Sequence, residues 1–198
     1  MKFKLSSIAL SFTIVFTVLL SGCAHQIQMH PNTEKFIESG TKINKVVGYH
    51  ISELNRKKIV KTAGGGGDKI TYSPYKDTES VLFTVLSNKF KDVYLIKSLE
   101  DESFIKENEI KFIFIPEIIT HSSSSSAFTW PPTKFTIDLT VKALNSKGDI
   151  VWQKQIKKTG EAEFDEFKTD FSLSARRATE QVFLQLAQDI EKEISTIK

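Results

Sequence analysis

Phe135-Thr136-Ile137-Asp138-Leu139-Thr140-Val141-Lys142-Ala143 is the stretch that decides the fold. Its apolar side chains alternate with Thr, Asp and Lys, which is the period of a strand with one buried and one wet face. Asn145-Ser146-Lys147-Gly148-Asp149 follows with hairpin chemistry, since glycine tolerates positive φ. Ile150, Trp152 and Ile156 then resume the alternation on the returning strand. Such a hairpin needs an apolar cover for its inner face. From about Ser172 the chain reads as a helix whose stripe of Val182, Phe183, Leu186, Ala187, Ile190 and Ile194 supplies one.

Working outward, Ile110 to Ile115 is nearly continuous in apolar side chains, as in a central strand covered on both faces. Pro116 is expected to limit pairing beyond it. Val81, Leu82, Val85, Leu86 and Phe90 recur at helical spacing, predicting a helix capped by Asp77 that runs to about Lys91. Strands are expected at Val46–Ile51 and Val93–Ile96, a short helix at Glu100–Glu107, and a loop at the glycines 64–67 with a turn at Tyr72–Tyr75. This order predicts one α+β domain over residues 45–198, a mixed and mostly antiparallel sheet with helices packed on one face. Residues 23–44 are polar and mixed, with Pro31 and Gly40, and read as a tether, so a chain starting near Asn32 is expected to fold.

The first 22 residues have the physics of an export signal. Lys2 and Lys4 form a positive start, and Ile8 to Leu20 an apolar run too short to span a bilayer, which takes about 20 residues. The run ends in Leu20-Ser21-Gly22-Cys23, and Cys23 is the one cysteine of the chain. This stretch resembles the bacterial lipoprotein signal at all four positions of its lipobox. The resemblance implies cleavage of residues 1–22, a diacylglyceryl thioether on the Cys23 sulfur and an acyl group such as palmitate on the new amino terminus. Two or more chains anchor stably where one does not. Ala24 is not the Asp that retains such proteins at the inner membrane, so the resemblance implies the periplasmic face of the outer membrane.

Composition narrows the remaining classes. The formal charge is +3 and includes Lys2 and Lys4, so the rest of the chain is near +1 with its signs interspersed, which offers no electrostatic case for nucleic acid. The densest basic cluster, Arg56-Lys57-Lys58 with Lys61, reads as a solvated strand end or as a contact for headgroups or anionic glycans.

Catalytic templates fail one by one. The four glycines lack the G-x-x-x-x-G-K-[ST] spacing of a phosphate loop, and no G-x-S-x-G elbow accompanies the four histidines. Glu161, Glu163, Asp165, Glu166 and Asp170 do not follow a calcium-loop pattern. No catalytic residue, metal site or cofactor is therefore expected.

Two segments stand apart from plain scaffold. Ser122 to Pro132 joins a serine run to Phe128, Trp130 and a diproline, and Glu161 to Phe167 sets Phe164 and Phe167 among acids. The hairpin is expected to bring the two together. These four aromatics either form a partner-binding surface or cap the end of the core. The arrangement from Lys45 to Glu193 is similar to that of auxiliary lipoproteins of lipid-transport systems and to curli-secretion and cell-wall-synthase-activator lipoproteins. The anchor, the single domain and the failed catalytic templates together lead to the expectation of a non-enzymatic lipoprotein that binds another envelope protein as an accessory or assembly factor. The alternative that the resemblance leaves is a subunit of an oligomeric secretion or transport complex.

Overall fold

The computed structural model describes residues 24–37, 40–64, 68–125 and 131–194. In chain order these form β1 (Ala24–Gln26), a 3-10 turn (Thr33–Phe36), β2 (Ile43–Tyr49), α1 (Glu53–Arg56), β3 (Val60–Ala63), β4 (Lys69–Tyr72), α2 (Pro74–Lys89) and β5 (Phe90–Leu95). There follow α3 (Glu102–Glu107), β6 (Phe112–Ser123), β7 (Lys134–Leu144), β8 (Ile150–Glu161), α4 (Phe164–Phe167) and α5 (Leu173–Glu193). The fold is α+β, as the patterning predicts.

The main sheet has the order β5-β2-β6-β7-β8, with β2 parallel to β5 and β6, and β6, β7 and β8 antiparallel. Phe135, Ile137, Leu139, Val141 and Ala143 of β7 are each at most 1% exposed. Their polar neighbours make cross-strand pairs on the wet face: Thr136 with Thr159 at 2.8 Å, Gln155 to Asp138 at 2.8 Å and Lys142 to Glu117 at 2.7 Å. The inner face is covered by Val81, Leu82, Val85 and Leu86 of α2 and by Val182, Phe183, Leu186 and Ile190 of α5. Trp152 Nε1 donates to Glu193 at 2.9 Å and fastens the end of α5 to β8. On the opposite face a smaller cluster of Ile96, Ile105, Ile110 and Ile113 brings α3 over β6, so the apolar run there is covered on both sides.

Several local expectations differ from the structure. Pro116 does not end β6, because it pairs with Val141 in mid-strand. His50 N donates to Phe114 O on one edge of β6, so the missing Pro116 N–H falls on that same edge, where β2 has already ended. Ile118 N, next on that edge, is satisfied by Tyr75 OH at 3.1 Å. The helix α2 starts at Pro74 and not at Asp77, because proline at the first helical position gives up an N–H that would be unpaired anyway. Ile150 is 55% exposed, since a register irregularity at Ala143/Leu144 turns it outward.

A second sheet, of order β1-β4-β3, escapes the sequence reading because its strands have three or four residues each. Its β1 lies within the segment expected to be a tether. That segment is folded: Ile27, Met29 and Phe36 are 1%, 0% and 4% exposed. Met29 N donates to Asp77 and Gln28 N to Ser172 Oγ, which ties the segment to both long helices. A chain starting at Asn32 therefore loses β1 and two core side chains. Its unfolding free energy should drop by about 4 kcal/mol, at 1.5–3 per buried side chain, read as a lower midpoint in urea.

Candidate functional site

The residues that follow the diproline do meet the start of the acidic segment, at the end of the sheet where β7 begins and β8 ends. The antiparallel register pairs Lys134 with Glu161, and Ala162 N then donates to Thr133 O at 2.9 Å. Pro131 and Pro132 are buried, and Pro132 O accepts from the buried Ser174 Oγ at 2.7 Å. A capping box between Glu163 and Glu166 shapes α4, with Glu163 N donating to Glu166 at 3.0 Å.

Arg177 of α5 locks this end. Its guanidinium donates to both Glu166 carboxylate oxygens, at 2.7 and 3.0 Å, and to Glu161 O at 2.8 Å. The paired guanidinium, with help from Glu163 N–H, holds the Glu166 carboxyl down at about 2. Three more of the acids find cations: Glu161 with Lys134 at 3.0 Å, Asp165 with Lys168 at 2.8 Å, and Asp170 with Arg176. Among the described residues no group of three or more His, Cys, Asp or Glu side chains converges as a metal site would require. This end is a latched, charged corner.

Within it Phe164 and Phe167 part company. Their rings meet edge to face at 5.4 Å, yet Phe167 is 4% exposed and Phe164 is 61% exposed. Of the two readings left open for these aromatics, burial is the one that describes Phe167, while Phe164 stands in water. Phe171 is also exposed, at 46%. Phe128, Trp130 and Cys23 lie outside the described residues.

Two structural members of this corner were missed from sequence, Arg177 and Gly160. Glycine inside a strand is a readable signal of close backbone approach. A Cβ built on Gly160 would lie 2.1 Å from Ser174 O and 2.4 Å from Ala178 N, so β8 and α5 nearly touch there.

The two phenylalanines make a paired test. Phe167→Ala should lower the unfolding free energy by roughly 3–5 kcal/mol. Phe164→Ala should stay within about 1 kcal/mol of the parent by chemical denaturation, since most of its ring is in water already.

No family model matches the chain, and no curated protein matches it. Among solved structures it is similar to the Xanthomonas campestris protein XCC0632, of the family DUF330, at 13% identity over 88% of this chain and 96% of that one, with a TM-score of 0.46. It is also similar to the PelC dodecamer from Paraburkholderia phytofirmans, at 12% identity over 73% of this chain and 92% of that one, with a TM-score of 0.40. Likenesses at these scores carry no functional conclusion.

Proposed function

We propose that the chain is a lipoprotein of the bacterial envelope, anchored by acylated Cys23 at the periplasmic face of the outer membrane. It acts by binding another envelope protein, as an accessory or assembly factor, and not by catalysis. The observation that carries the reading is Leu20-Ser21-Gly22-Cys23 at the end of an apolar run of signal length. The residue that follows the acceptor cysteine, Ala24, belongs to β1. The surface proposed for the partner is the latched corner, where Phe164 stands exposed on α4, the turn that Arg177 holds through Glu166, and Phe171 is exposed four residues beyond α4. Rigid exposed aromatics lose little entropy on docking.

Cys23→Ser tests the anchor. The thiol is the acceptor and a hydroxyl does not replace it, so fatty-acid labelling of the variant should vanish. Undiminished labelling would sink the lipoprotein reading. For the partner surface, Phe164→Ala should weaken capture of the crosslinked envelope partner by on the order of 2 kcal/mol. Unaltered capture would exclude the corner.

A further inference from the structure

The position of β1 constrains how the body can sit on a membrane. Ala24 is in register with Lys69, which pairs in turn with Ala63, and Gln26 is in register with Thr71, which pairs with Lys61. These six residues share one face of the three-stranded sheet, and Ile70 and Tyr72, at 0% and 1% exposure, point the other way into the core. The outward face thus presents two lysines, four small or uncharged polar side chains and no carboxylate. Neither lysine is in an ion pair among the described residues.

The chain leaves no slack behind Ala24. His25 meets Asp68 at 3.1 Å, Ile27 N donates to Thr71 O at 3.0 Å, and Ile27 and Met29 are buried. The acylated residue lies one Cα step, about 3.8 Å, before this strand. Lys69 is one strand spacing from Ala24, about 4.8 Å, and Lys61 one strand further. Both fall within roughly the Debye length over which an anionic leaflet attracts basic side chains.

We infer that the outer face of the three-stranded sheet lies on anionic phospholipid headgroups, with Lys61 and Lys69 in contact, and that the acyl chains on Cys23 hold the body in this one orientation. The inference rests on the lipoprotein reading above. It deepens that reading by making the anchor a positioning device and not a flexible leash.

The test uses the full lipidated protein in vesicles of phosphatidylethanolamine and phosphatidylglycerol. Because Cys23 is the one cysteine and its sulfur is consumed by the thioether, Lys61→Cys, Lys69→Cys and Lys147→Cys each provide a single thiol for a nitroxide label. Lys147 is the reference at the far end of the molecule. Ser122, paired with Phe135 at the start of β7, donates to Thr62 and Ala63, and the strand between carries the hairpin about 33 Å away.

A water-soluble relaxant should reach labels at 61 and 69 at least about fivefold less than the label at 147. Replacing both lysines (Lys61→Gln with Lys69→Gln) should speed exchange of the lipidated protein between vesicles by about 25-fold, at roughly fivefold per lysine. Equal access at all three positions, or unchanged exchange, in protein whose mass shows the acyl chains would overturn the orientation and leave the lipoprotein reading standing. A mass without acyl chains would overturn that reading itself.

Discussion

Leu139→Asp is expected to unfold the protein, and Thr140→Asp, one residue on, to leave it folded. Leu139 is the middle of the inward row of β7 and is 0% exposed. The substitution removes a buried leucine, costing about 2–5 kcal/mol, and strands a carboxylate without a partner, costing several more. Their sum approaches the whole stability of a domain, about 5–15 kcal/mol. Thr140 is on the opposite face, in register with Glu117 and Gln155, where a carboxylate keeps its water. Far-UV circular dichroism and a thermal melt on the two variants decide the matter. Equal loss in both would mean that the Thr140 face is covered as well.

Gly160→Ala is the second large effect, from a single methyl group. The new Cβ would overlap Ser174 O and Ala178 N, backbone atoms that cannot rotate away, with Arg177 Cβ at 2.9 Å beside them. To make room α5 must lift from β8, which strains the Arg177–Glu166 pair and the Ser174–Pro132 hydrogen bond together. The expected loss is about 3 kcal/mol, toward the upper end for overpacking. Gly148→Ala is the matched control. That glycine has φ of 86° and no neighbour within 4 Å, so its cost is confined to backbone strain of about 1 kcal/mol. If urea midpoints fell equally for the two, contact between β8 and α5 would not be what Gly160 serves.

The candidate corner was legible in part. A hairpin with a known turn brings residues equidistant from that turn side by side, so the meeting of Thr133 and Lys134 with Glu161 and Ala162 follows from counting. Which aromatic faces water does not follow. Phe164 and Phe167 have the same chemistry and stand among the same acids, and their opposite fates are set by how the single turn of α4 lies against α5. Arg177 was illegible for a similar reason: nothing near it in sequence distinguishes it from Arg176, which pairs with Asp170 instead.

On its own, the amino-acid sequence determined the parts of the fold that rest on long periodic runs. The alternation of β7 with its hairpin and the stripes of α2 and α5 are repeated enough times that the period identifies both the element and its buried face. The proposed export signal and acceptor cysteine likewise rest on the sequence alone, because such features are read by short linear motifs. Tertiary structure alone decided the rest. The three-stranded sheet has strands too short to show a period, and β1 is held by the burial of Ile27 and Met29 and by hydrogen bonds to Thr71, Asp77 and Ser172, all far along the chain. Pro116 stays within β6 because the neighbouring strand has ended, a fact of pairing that no local residue encodes. The segment expected to be a leash is part of the body, since burial of a few scattered apolar side chains outweighs the polar residues between them.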